Sequence, residues 1–174
     1  MRDLATQVIT ELAVSIGLPK AAVFQELADE AKEKIMLPAR RMELQILDEA
    51  LQKQGWRVGQ SRTVIDGKSV STMRWARYRT VLSVRVVIRD SSQQWLDEFG
   101  RQFLEKIPFK VRDTAGNWTR IEATKATRKG YTFASIRIEE TPVLALHIAF
   151  SGIVYKDVET GMIEKITLYP SFKA

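Results

Sequence analysis

Residues 74–90 read RWARYRTVLSVRVVIRD, a run rich in valine, isoleucine and leucine that also carries five arginines. The even positions are Ala76, Tyr78, Thr80, Leu82, Val84, Val86 and Ile88; the odd ones include Arg77, Arg79, Arg85 and Arg89. A period of two with β-branched residues is the signature of a half-buried strand. The even side belongs on a core, and the odd side carries arginine toward water or a partner. At about 3.3 Å per residue the run spans roughly 45 Å, so a bend or bulge is expected in it.

The rest of the chain must fit around this strand. A helix is expected from Asp3 to Ile16, where Leu4, Val8, Leu12 and Ile16 recur every four residues and Gly17 followed by Leu18-Pro19 supplies a stop. Glu26–Ile35 is a second candidate helix, bounded by Pro19 and Pro38. MELQIL (42–47) alternates as a strand, and DEALQKQG (48–55) reads as a short helix or turn. The strand-like runs on either side of Asp66-Gly67 form a long hairpin, since that dipeptide supports a tight turn.

In SSQQWLDEFGRQFLEKIP, Ser91 or Ser92 is the expected helix cap, with Gln94 placed for a capping box. Trp95, Phe99 and Phe103 form its core stripe, with Asp97 and Glu98 expected in the first turn and Lys106 near the end. FKVRD then turns through Thr114–Asn117 into WTRIEAT. YTFASIRIEE and LALHIAFSGIVYKD follow as strands, and Glu159-Thr160-Gly161 is expected to turn into MIEKITLY. Strands and helices do not alternate regularly. The expected class is therefore α+β, with a largely antiparallel or mixed β-sheet packed by two to three helices and a long β-hairpin. A single domain is expected over 1–174, with a helical N-terminal portion (1–35) and a β-rich body (36–174).

Composition narrows the chemistry. The chain has 174 residues, 45% of them hydrophobic, and no apolar run of membrane-spanning length. Its beginning lacks the unbroken apolar stretch of a signal peptide. With no cysteine, disulfides, thiolate metal sites and cysteine nucleophiles are excluded. The only histidine, His147, falls inside a strand, a poor start for a metal site. No phosphate-binding glycine loop or G-x-S-x-G elbow is present, and the adjacent acids Glu139-Glu140 point to opposite faces of a strand. A non-enzymatic protein without cofactor or metal is expected. The formal net charge of +6 permits contact with nucleic acid. Its charges are spread along the chain with no block of five like charges. Arginine, tryptophan and tyrosine are favoured at interfaces, which makes Trp75, Tyr78, Trp118, Tyr131 and Tyr155 interface candidates.

The order of VLSVRVVIRD, SSQQWLDEFGRQFLEKIP, VRDTAGNWTRIEA, LALHIAFSGIVYKD and a last strand, preceded by LPARRMELQIL, resembles tail terminators and related tail-completion proteins of long-tailed, Mu-like bacteriophages. The resemblance covers roughly residues 36 to 170 as a pattern of elements; residues 1–35 have no counterpart in it. It implies a homo-oligomeric, commonly hexameric ring at the head-proximal end of the tail tube. Such a ring stops tube polymerisation and joins the tail to a head connector or neck protein. DNA would pass through its lumen in non-specific contact, with no catalysis, cofactor or membrane. The location implied is the virion, assembled in the host cytoplasm.

On this reading Arg77, Arg79, Arg85 and Arg89 are candidates for a subunit interface or for contact with DNA in the lumen; the plainer alternative is a solvated sheet face. Three other functions stay open. One is a nucleic-acid-binding module using the basic strand 74–89. Another is a different neck or head-tail joining protein. The third is a small enzyme or ligand-binding α+β domain, which would need a deep pocket with convergent polar groups.

Overall fold

The structure, a computed structural model, describes residues 1–25, 38–65, 68–129 and 142–161. Its elements are α1 (Arg2–Ser15), a 3-10 turn (Lys20–Ala22), β1 (Val23–Phe24), β2 (Arg41–Lys53), β3 (Arg57–Ile65), β4 (Lys68–Arg89), α2 (Gln93–Lys106), β5 (Lys110–Arg112), β6 (Trp118–Lys129) and β7 (Val143–Gly161). The strands form one mixed sheet in the order β1-β2-β4-β7-β6-β5, with β3 paired to β4. β1 and β2 are parallel, whereas β3–β4, β5–β6 and β6–β7 are antiparallel. The fold is α+β, as the alternation and helix signals imply.

Alternation sets the form of β4. Ala76, Thr80, Leu82, Val84, Val86 and Ile88 are buried, while Arg77 and Arg79 are exposed. Tyr78 departs from the apolar pattern and is 40% exposed. The expected irregularity lies in the partner strand. Arg57 pairs with Trp75 and Gly59 with Arg74, leaving Val58 as an extra residue in β3. The pairing then runs regularly to Ile65↔Lys68, and the Asp66-Gly67 link lies outside the described residues.

Two boundaries differ from expectation. Residues 48–53, rich in helix formers, continue β2 instead of turning, because pairing within a sheet outweighs local propensity. β7 runs through Glu159 to Gly161, where a turn was expected. The candidate helix 26–35 and the strands YTFASIRIEE and MIEKITLY all lie wholly outside the described residues.

α1 ends as its glycine implies. Gly17 has a φ of 98°, its N–H donates to Val14 O, and Leu18 N–H donates to Ala13 O. This paired closure satisfies two terminal carbonyls and carries Leu18 into the core. α2 is capped by Ser92, whose side chain accepts from Trp95 N–H. Gln94 is therefore one position too early for a capping box, and Asp97 and Glu98 both lie beyond the first turn. Asp90 Oδ1 holds the approach by accepting from Ser92 N–H.

One core joins both helices to one side of the sheet. Ile9 and Leu12 of α1 and Leu96, Phe99 and Phe103 of α2 meet Met42 and Leu44, Leu82, Val84, Val86 and Ile88, and Leu144, Leu146, Ile148 and Phe150. Trp95, Phe99 and Phe103 stack in series, with centroid separations of 4.7 and 6.2 Å. Gly100 lets α2 approach β7: a Cβ there would lie 2.5 Å from Leu144 Cδ2.

The chain divides into two compact units, each discontinuous in sequence. The first is Met1–Gln52 with Thr80–Ile153, and holds this core. The second is Lys53–Arg79 with Val154–Ala174.

Candidate interface on the basic hairpin unit

The second unit contains the β3–β4 hairpin and the end of β7. By sequence it carries ten lysines and arginines against four acids, whereas the first unit carries seventeen of each. The whole net charge of +6 therefore resides in this unit. Reading along the chain conceals this segregation, because two segments far apart in sequence build the unit.

Cross-strand register sorts its side chains into two faces. Arg57 pairs with Trp75, Gln60 with Met73 and Arg62 with Ser71, so Arg57 and Arg62 share a face with Arg77 and Arg79. All four arginines are exposed. Arg62 donates to Ser69 Oγ at 3.0 Å, while no carboxylate of a described residue pairs with Arg57, Arg77 or Arg79. The opposite face carries Trp56, whose carbonyl accepts from Ala76 N–H, together with Tyr78 and Arg74. There Arg74 makes two bonds of 2.8 Å to Asp157 and stands 5.6 Å from the Tyr155 ring centroid. The Asp157 carboxylate raises the pKa of Arg74, and the guanidinium in turn holds the Asp157 carboxyl below its ordinary range.

The arginine row of β4 is thus two different things. Arg77 and Arg79 belong to the basic face. Arg85 and Arg89 belong to the first unit, where both are partly buried. Arg89 Nε lies 3.3 Å from Oε1 of Glu43, a fully buried carboxylate that also accepts from Arg41 Nε at 2.7 Å. Arg40 pairs with the buried Asp90 and lays its guanidinium 4.0 Å from the Trp95 ring centroid. Arg89 therefore helps neutralise a buried acid, a role that depends on contacts forty-six residues apart.

A second exposed group gathers at β5 and β6. Lys110 and Arg112 lie 4.6 and 4.5 Å over Trp118, and Arg120 lies 5.0 Å over Phe109. Trp118 is one of the interface candidates chosen by residue type; Phe109 was missed, since an aromatic beside a proline carries no exposure signal. His147 is half-buried in β7. No protein-family model matches the chain, and no curated protein is significantly similar to it.

Proposed function

We propose that this protein is a structural component of a phage tail. It forms a ring at the head-proximal end of the tail tube, stops tube polymerisation and joins the tail to the head connector. The observation that carries the reading is the separation of a neutral unit, which holds the core, from a unit bearing the entire net charge. A neutral body suits protein contacts within a ring, and exposed arginines suit a passage for DNA, where phosphates attract cations without regard to sequence. The aromatic face with Trp56 and Tyr78 adds amphipathic contact area.

The same charge separation favours a second reading, a monomeric nucleic-acid-binding module. Light scattering at low and high salt separates the two. The ring reading expects a discrete species, about six times 19.9 kDa for a hexamer, that persists as salt rises. A monomer at both salts, with duplex binding that weakens steeply from 50 to 200 mM salt, would select the second reading.

A further inference from the structure

The first unit is neutral by sequence, yet one end of its sheet gathers cations. β5 is the last strand in the order, and no strand of the described residues lies beyond it. Its pairing with β6 fixes which way each backbone group points. Ile121 N–H donates to Phe109 O, and Asp113 N–H donates to Asn117 O, so Phe109 and Asp113 turn these groups toward β6. Lys110 and Arg112 alternate with them and turn their N–H and C=O groups the other way, to the open edge. Such an edge is a template for an added strand.

The side chains above the edge select the strand. Lys110 is opposite Arg120 and Arg112 is opposite Trp118, so all four share one face, and all are exposed. Glu122, next along that face, pairs with Arg120 at 3.5 Å. The Asp113 carboxylate accepts from Asn117, through the backbone N–H and the side-chain amide. Lys110 and Arg112 have no carboxylate partner among the described residues; each instead lies over the Trp118 ring. The indole holds two like charges in place that would otherwise drift apart.

An anion is the complement of this arrangement, and three features favour a protein over a nucleic acid as its source. A base arriving to stack on Trp118 would have to displace Lys110 and Arg112. The balanced charge of the unit supplies no extended track for a phosphate chain. Outward N–H and C=O groups in alternation are matched by another polypeptide backbone.

We infer that β5 is a docking edge for an extended acidic segment of a partner protein. The segment adds as a strand: its backbone pairs with Lys110 and Arg112, and carboxylates at alternate positions lie opposite these two side chains. Phe109, 65% exposed beside the edge, supplies apolar area for the segment to cover. This edge serves with or without closure of the chain into a ring.

The probe is a short blocked peptide of alternating valine and glutamate, titrated into the isotope-labelled full chain and followed by NMR. Shifts are expected at the amides of residues 109–113 and at the Trp118 indole N–H. Affinity is expected to fall about tenfold or more when Lys110→Glu and Arg112→Glu are combined; the milder pair Lys110→Gln and Arg112→Gln replaces them if charge reversal disturbs the fold. A peptide with lysine in place of glutamate, and one N-methylated at the pairing amides, are expected not to bind. Binding that survives N-methylation, or shifts confined to other residues, would overturn strand addition. Failure of the glutamate peptide to bind at any soluble concentration, or unchanged affinity in the variants, would overturn the inference as a whole. Oligothymidylate that binds the same residues more tightly than the peptide would overturn it in favour of nucleic acid.

Discussion

The two units solve different problems with the same kinds of residue. In the first, arginines serve buried carboxylates: the buried Arg41 and the partly buried Arg89 flank Glu43, and the exposed Arg40 reaches the buried Asp90. In the second, Arg57, Arg77 and Arg79 remain exposed without a described carboxylate partner. The difference teaches that an arginine count says little by itself. A guanidinium whose charge is spent on a buried acid supports the fold, while an uncompensated one on an exposed sheet face is free to meet another molecule.

The sharpest break between the units should appear in stability. Phe103 is fully buried at the end of the aromatic series of α2, so Phe103→Ala should cost about 3–5 kcal/mol. Urea denaturation measures this, and a loss under about 1 kcal/mol would mean that the core described here does not govern folding. Next comes the contrast between charged groups. Glu43→Ala removes the buried acid that Arg41 and Arg89 share and should cost about 3 kcal/mol or more, whereas Arg79→Ala should stay within about 0.5 kcal/mol. Equal losses would erase the distinction between the two parts of the arginine row.

The smallest effect concerns Asp157. Its carboxyl pKa is lowered by Arg74, so the pair's contribution is complete above the unfolded pKa and disappears as pH falls through the lower folded value. Because both groups are exposed, the change in stability should be slight. An NMR titration checks it directly: Arg74→Gln should return the Asp157 carboxyl upward to its ordinary range, and an unchanged midpoint would count against the pair.

What could be read in advance follows from how local each cause is. Gly17 at the end of an apolar stripe is a local stop signal, and the helix ends there by the expected closure. The aromatic stripe of α2 and the apolar sides of β4 and β7 depend only on periodicity and are found as expected. The extension of β2 through DEALQK was hidden, because its partner β4 is distant in sequence and its residues locally favour helix. The demand of Glu43 on Arg89 and the pooling of charge in one unit were hidden for the same reason. Each is created by segments that meet only on folding. Tyr78 shows the limit of alternation itself: a place on the apolar side does not guarantee cover where the core gives out.

The interleaving of the two units also bears on how the protein comes into being. Neither unit is a continuous stretch, so a ribosome delivers the first segment of each well before the second. The β3–β4 hairpin is complete early and needs only local pairing. The large core must wait for Leu144, Leu146, Ile148 and Phe150, and the second unit for the segment after Val154. Long-range closure of this kind slows folding and leaves apolar strand faces uncovered meanwhile. Until that closure the chain passes through a period when uncovered apolar strand faces invite the wrong partner.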